Sequence, residues 1–445
     1  MKARPFLCLL LACILAFASG SVCTGEAGKT TSARNFSFFT PEINELIDQN
    51  YEQIRKDGWA ELRSPASLHG ITEDIFSPNA VDAAHKLIDA GYEAYCIGGA
   101  VRDLVMGTPT MDFDITTTAS NEEFARILGD VTFHTIPSGL SFGFAHYPDE
   151  VIDVASCVNI PKAYLGLPGI PDFDPESLYS DNFVADSFER DLTFNAIYYD
   201  FKTGDLVDYH GGLHDIREGI VDTMLDSVVA LGHDPRIAIR GIRFVSRYGF
   251  RFSDRMDVAM RKNGAEYVAA NSPEMNRENI AKYYDAGYAR RCLDTLEEYG
   301  LFCAVYPPVA ELYDTEAYRQ YICSATDWMD ERYAAGMLVR GETATAIFLW
   351  PAVAGAEDLA AAARGLFEAQ RKTIEIPGDQ ENLFLDMYAM QAELTKDQSR
   401  ESAQENLQRT HFQDALELLM IRSRMETGLE DAVNFWTELV ADTEE

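Results

Sequence analysis

Apolar residues recur at helical spacing over residues 77–90, at Ala80, Val81, Ala84, Leu87 and Ile88, and Gly91 marks a stop. The period then shortens. Tyr95-Cys96-Ile97 is a short apolar run ending on Gly98-Gly99, which predicts a buried strand, a glycine turn and a helix over about 100–106. Further strands are predicted over 111–116, 142–146 and 151–154, with a helix over 121–128. Residues 158–183 contain Pro161, Pro168, Pro171 and Pro175 and predict a loop. Residues 191–200 are aromatic and β-rich. From about Asp222 the spacing turns helical, and beyond residue 330 no strand pattern returns. This order predicts an α+β head, a mixed sheet with helices, followed by an all-α neck, body and tail. The expected boundaries are 69–222 for the head, 223–330 for the neck and 331–445 for the body and tail. Residues 19–68 are expected to form a poorly anchored lead-in with one helix.

The first residues break this pattern. Lys2 and Arg4 precede an apolar run over residues 6–18, and the small residues Ala16, Ala18, Ser19 and Gly20 close it. A charged start, a short apolar centre and a small-residue exit predict a signal peptide over residues 1–18. The run falls short of the about 20 residues a membrane span needs. The expectation is an exported chain, periplasmic or secreted, with no stable membrane association after cleavage. If the signal is not used, the chain stays in the cytoplasm. Cys8 and Cys13 would leave with the signal, and the other six of the 8 cysteines show no CxxC spacing or zinc-like cluster. Cys96 lies in an apolar run and is expected to be buried.

Charge narrows the function classes. The chain carries 37 Lys+Arg against 72 Asp+Glu, a formal net charge of −35 over 445 residues. A protein that coats nucleic acid needs broad basic surface to displace counterions, and this chain lacks it. A nucleic-acid enzyme with one basic groove remains possible. Residues 231–262 hold eight Lys/Arg and three acids, so a local excess of +5 sits in a chain that is otherwise −40. Arg236, Arg240, Arg243, Arg247 and Arg251 would share one stripe of about 80° if a single helix continues that far, with Gly249 as its earliest stop. A solvated face is the ordinary reading of such a run. Its sign, opposed to the rest of the chain, points instead to contact with a triphosphate or an RNA backbone.

Three constellations carry candidate chemistry. Gly98-Gly99-Ala100-Val101-Arg102-Asp103 joins a strand to a helix through glycines that let a phosphate approach the backbone. Asp112-Phe113-Asp114 follows about a dozen residues later, and carboxylates two apart on a strand share a face and can share divalent cations. Asp186 and Glu189-Arg190-Asp191-Leu192-Thr193-Phe194-Asn195 supply a further carboxylate, a cation and a polar amide. Asp153, on a strand that reads as otherwise buried, competes with Asp186 for the role of third metal carboxylate. The His-Asp pairs at 214–215 and 233–234 lack the further ligands of a metal phosphohydrolase.

Together these motifs resemble the nucleotidyltransferase class that contains bacterial poly(A) polymerase I and the CCA-adding enzymes. The likeness is densest over residues 79–302. It includes the segment AGYEAYCIGGAVRDLVMG, the segment DFDITTTA, Arg190-Asp191-Leu192-Thr193-Phe194-Asn195-Ala196, and Asp234-Pro235 followed by Ile239-Arg240-Gly241-Ile242-Arg243-Phe244. Ala196-Ile197-Tyr198-Tyr199, Asp208-Tyr209-His210-Gly211-Gly212 and Asn434-Phe435-Trp436 resemble the poly(A) polymerase I branch. The resemblance implies Asp112, Asp114 and Asp186 as carboxylates for a two-Mg²⁺ site. It implies Arg190, Asp191, Asn195, Arg240 and Arg243 as nucleotide or phosphate contacts, with ATP as substrate; Gly98, Gly99, Arg102 and Asp234 are further candidates for nucleotide binding. Arg236, Arg247 and Arg251 are left to the RNA.

This sequence departs from the family pattern at four places. The family's Glu-containing third strand reads Asp153-Val154-Ala155-Ser156 here, without its following Arg. Glu189 stands where the family has a second Arg, Ile237 stands where an Arg helps recognise the incoming base, and the basic C-terminal tail is replaced by Ala441-Asp442-Thr443-Glu444-Glu445. The expected function is template-independent addition of AMP to RNA 3′ ends. The alternatives are CCA addition to tRNA, and an exported, catalytically impaired paralogue that binds RNA or another partner.

Overall fold

The hydroxyl of Ser77 accepts the Ala80 N–H at 3.0 Å and Pro78 opens the helix Pro78–Asp89, so the apolar period seen in the sequence starts on a capped end. Ser120 and Glu123 form a capping box at the start of Asn121–Leu128. In this computed structural model the described residues are 37–136, 138–164, 166–167, 170, 177–396 and 400–444. The expected signal peptide lies outside them. Among them no helix is long and apolar enough to cross a membrane.

The described residues fall into two compact units. Of the described residues, the first gathers 37–237 and Tyr248–Lys262, and the second gathers Ala238–Arg247 and those from Asn263 onward. The first unit is built on eight strands: β1 (Leu62–Ser64), β2 (Ala94–Ile97), β3 (Asp114–Thr117), β4 (Val131–Thr135), β5 (Ser141–His146), β6 (Val151–Ser156), β7 (Ile197–Asp200) and β8 (Leu206–Asp208). Their order across the sheet is β1-β8-β7-β2-β3-β6-β5-β4. β3 and β6 run parallel, with Ile115 opposite Val154, while their neighbours pair antiparallel. The sheet is mixed, as expected.

One face of β3, β6 and β5 is packed by helices. Ile115, Ile152 and Val154 are buried on that side, and a Cβ on Gly143 would meet the Phe124 ring of Asn121–Leu128 at 2.5 Å. A second buried cluster joins Tyr95, Ile97, Cys157, Phe183, Tyr198, Val207 and Tyr209. Cys96 is buried as expected.

Four expectations need correction. Residues 37–68 are anchored: the helix Pro41–Asp57 is capped by Thr40, Arg217 bonds Asn44 and Asp48, and β1 forms an edge of the sheet. A three-residue strand is too short to show a period. The strand expected over 111–116 starts at Asp114, so Asp112 lies on the exposed approach to it. The region after Asp222 is not all helix, because β10 (Arg251–Phe252) pairs in parallel with β9 (Ile220–Val221). The five-arginine stripe is also broken. The helix Arg236–Tyr248 ends on Gly249, held left-handed at φ 61°, and Arg251 lies on β10.

The second unit is helical. The helices Glu316–Ala334, Gly378–Leu394, Phe412–Ser423 and Glu430–Glu444 supply its C-terminal part. Trp436 sits with Leu394, Phe412 and Leu416 in one buried cluster and donates its indole N–H to the Leu394 carbonyl at 2.8 Å.

After β8 the chain turns through Gly211-Gly212, and the Asp208 carboxylate accepts the N–H groups of His210, Gly211 and Leu213. A Cβ on Gly212 would fall 2.3 Å from the Thr193 carbonyl oxygen. Gly212→Ala is expected to lower stability by about 1–3 kcal/mol through overpacking, read as a fall in denaturation midpoint.

Candidate active site

The glycine turn and the Asp112-Phe113-Asp114 segment meet because β2 and β3 are antiparallel neighbours, with Ile97 opposite Asp114. Gly98 takes φ 80°, ψ −136°, a conformation open to glycine alone. A Cβ there would lie 3.7 Å from Asp114 Oδ2, so the missing side chain leaves that carboxylate open. Asp153 joins from β6. That strand alternates, with Ile152 and Val154 buried and Asp153 on the opposite, exposed face. The predicted buried strand with an isolated charge is therefore a half-buried strand whose charge faces out.

Asp114 and Asp153 line one cavity of about 230 Å³ with Arg190, Thr116, Phe142 and Phe144. Burial raises the Asp114 carboxyl to about 7, and the charges of Asp112 and Asp153 add to the rise. Burial and Asp112 also raise Asp153. Carboxylates crowded in this way mark a candidate functional site.

Asp186 does not belong to this set. It is fully buried, and all its acceptor capacity goes to the protein. Oδ1 accepts the Val158 N–H at 3.0 Å, and Oδ2 accepts Arg190 Nη2 at 2.5 Å and the Tyr198 hydroxyl at 2.9 Å. Of the two rivals for the third carboxylate, Asp153 faces the cavity and Asp186 is buried among protein donors. Asp186 instead fixes Arg190 at the cavity wall, where its charge opposes the rise at Asp114. The buried Nε of Arg190 has no hydrogen-bond partner in the structure. Tyr198 was missed by sequence reasoning. Its signal was the alternation of β7, which sends Tyr198 and Tyr199 to opposite faces.

Arg102 and Asn195 are brought together, but with each other. Both are buried. Arg102 Nη1 donates to Asn195 Oδ1 at 2.7 Å, Asn195 Nδ2 donates to Asp191 Oδ1 at 2.9 Å, and Arg102 Nε donates to Asp103 at 2.9 Å. Tyr248 donates its hydroxyl to the same Asp103 oxygen at 3.0 Å. Arg102, Asp191 and Asn195, expected to contact a nucleotide, form a chain that ties the glycine-turn helix Gly99–Val105 to the segment 190–196.

The basic run divides similarly. Arg236 is held by Asp234 through Nε and Nη2, both at 2.7 Å. Ile237, at the position of the family's base-reading Arg, is buried at 3 % exposure. Arg240, Arg243 and Arg247 belong to the helical unit. Burial, then Arg243 and Arg240, hold the Lys282 ammonium below its ordinary range, so these cations lie close together. Glu189 lies 3.9 Å from His233 Nε2.

Residues 94–222 match the Poly A polymerase head domain and residues 353–445 match the Polymerase A arginine-rich C-terminus. Poly(A) polymerase I of Salmonella typhi is 26 % identical over 410 residues, covering 85 % of each chain. The chain belongs to the poly(A) polymerase and CCA-adding nucleotidyltransferase family. This family of RNA nucleotidyltransferases is represented on its other side by the CCA-adding enzyme of Bacillus velezensis, 28 % identical over 59 % of this chain and 64 % of that one. The fold agrees. The Thermotoga maritima CCA-adding enzyme complexed with tRNA superposes with a TM-score of 0.60 at 15 % identity, over 86 % of this chain and 87 % of that one. The Bacillus stearothermophilus CCA-adding enzyme in complex with CTP gives 0.56 at 20 % identity, over 82 % and 83 %.

Two predictions follow from the electrostatics. The folded Asp114 carboxyl titrates near 7 against an ordinary value of 3.8, so between those values the folded state holds a proton the unfolded state has lost. Stability of the metal-free protein is expected to fall as pH rises through this window. Asp114→Asn removes that part of the slope, checked by denaturation midpoints from pH 4 to 8. Asp186→Asn leaves Arg190 and Tyr198 facing a neutral amide, and is expected to cost about 3–5 kcal/mol as a broken buried pair, measured by urea unfolding.

Proposed function

We propose that the chain adds AMP from ATP to the 3′ end of RNA without a template. The observation that carries this is the convergence of Asp112, Asp114 and Asp153 beside Arg190 and the open Gly98 turn. The acceptor's 3′ oxygen bonds to the α-phosphorus, the bond to pyrophosphate breaks, and the hydroxyl proton leaves the attacking oxygen. Gly98 and Gly99 give the triphosphate room against the backbone, and Arg190, locked by Asp186, faces its negative charge. Asp103, Arg102, Asn195 and Asp191 hold the two walls in register.

The donor set fits Mg²⁺. Its groups are hard oxygens, and their raised affinity for protons is the response of crowded carboxylates. Among the described residues no group of three or more His, Cys, Asp or Glu side chains is already placed to hold a metal ion. Mg²⁺ does not need one, because it keeps waters and takes substrate phosphates beside one or two carboxylates. Bound by Asp112, Asp114 and Asp153, it would lower the hydroxyl's pKa and offset charge on the leaving pyrophosphate.

CCA addition is the second reading. It is supported by the tRNA-bound and CTP-bound fold relatives and by the CCA-adding sequence relatives. Supplying ATP or CTP separately with an RNA oligonucleotide and with tRNA lacking its 3′ terminus separates the two. Poly(A)-type activity predicts repeated ATP addition to either acceptor, and CTP addition confined to tRNA reverses the assignment. Asp112→Ala is expected to reduce Mg²⁺-dependent incorporation below detection, and undiminished incorporation by that variant removes the proposed site. RNA binding without incorporation by the wild type would favour the impaired paralogue, to which Glu189 and Ile237 lend support.

Export belongs to the same proposal and rests on Lys2, Arg4 and the apolar run over residues 6–18. A mature N-terminus near residue 19 in the exported fraction is the expected intact mass. A cytoplasmic chain that retains residues 1–18 reverses it.

A further inference from the structure

The sheet continues past the carboxylates, and its composition changes there. β5 places Phe144 opposite Asp153 and His146 opposite Val151, so Phe142, Phe144 and His146 share the face that carries Asp153. β4 adds Thr132 opposite Phe144 and His134 opposite Phe142 on that face. The other face of β5 is occupied, because Ala145 is buried and Gly143 is pressed against Phe124. The Phe142 ring is left 37 % exposed, and both rings line the cavity that holds Asp114 and Asp153.

Charge is distributed unevenly about β3. The Gly98 turn follows β2, and Arg190, which lines the cavity, is held by Asp186, itself bonded to Tyr198 of β7 and to the Val158 N–H just past β6. β4, β5 and β6, on the other side, contain no Lys or Arg. A triphosphate therefore finds its positive partner in Arg190 and not on those strands. An in-line displacement at phosphorus places the attacking and leaving oxygens on opposite sides. The attacking nucleotide then falls on the β6–β5 side, against two phenylalanine rings and beside carboxylates that repel phosphate. A nucleobase has a neutral, flat face that suits such a surface.

We propose that Phe142 and Phe144 form a stacking platform for the unpaired base at the 3′ end of the acceptor RNA. The platform holds the acceptor through its last base, so the acidic surroundings need not grip its backbone. It takes either purine or pyrimidine, because stacking uses the π-face and no base edge. This inference rests on the nucleotidyltransferase reading, and its test has an arm that does not depend on turnover.

Phe142→Ala is expected to raise the acceptor KM about tenfold, in line with the stacking loss per base, while the ATP KM stays unchanged. Phe142→Leu, which keeps bulk without a flat ring, should behave like Ala, and Phe142→Tyr should restore the wild-type value. An acceptor whose last nucleotide is abasic should bind the wild type and Phe142→Ala equally. Independently of turnover, 2-aminopurine at the RNA 3′ terminus should be quenched on binding wild type and not on binding Phe142→Ala. A rise in ATP KM alone would assign the ring to the incoming nucleotide and overturn the proposal. An equal penalty with the abasic acceptor, or unchanged quenching in Phe142→Ala, would also overturn it. A wild type that quenches the probe but incorporates nothing would retire the proposed reaction and leave the platform standing.

Discussion

Repulsion among Asp112, Asp114 and Asp153 is the constraint around which the head is arranged. Like charges gathered at the rim of a sheet cost stability, and this chain offsets the cost with one cation, Arg190. That cation is anchored in turn by a carboxylate with zero exposure. Burial, and then Asp186, push the Tyr198 phenol well above its ordinary range, so it stays a donor and never competes for the negative charge. Val158, at the end of β6, supplies the third donor. The strand that carries Asp153 is thereby tied through Asp186 to the arginine that balances it. Positive charge, negative charge and the β6 backbone are held in one rigid piece.

A second network performs the same task without reaching the cavity. Arg102, Asn195, Asp191 and Asp103 are polar, buried and bonded to one another, which favours one geometry. Two sequence signals that look alike, charged residues beside a glycine turn and charged residues before a strand, thus separate into groups that line the cavity and groups bonded away from it. Arg190 is of the first kind and Arg102 of the second.

Much of this was legible in the chain. Helical period and the Gly91 stop placed Pro78–Asp89 to within a residue or so, and Asn121–Leu128 matched its expected bounds. The Gly98-Gly99 and Asp112-Phe113-Asp114 spacing pointed to the rim where they meet. What was hidden is non-local. β1 is an edge strand of three residues whose partner is some 140 positions away, so no local pattern could announce it. Asp186 and Asp153 were chemically equal in sequence, and only pairing and burial distinguish a carboxylate saturated by protein donors from one that faces open space. The arginine stripe failed at Gly249, where a left-handed glycine ended the helix before Arg251.

The parallel pairing of β3 with β6 has a consequence of its own. Asp153 reaches the cavity because its parity along β6 matches that of Asp114 along β3. Sliding β6 by one position would send Asp153 into the apolar layer beneath the sheet and bring Ile152 or Val154 to the rim. Length changes in the turns that flank β6 are therefore absorbed only if they leave its pairing intact. The β4–β5 turn, at the edge of the sheet, is free of that restriction. The arithmetic of odd and even positions thereby fixes which side chains meet at the centre of the head.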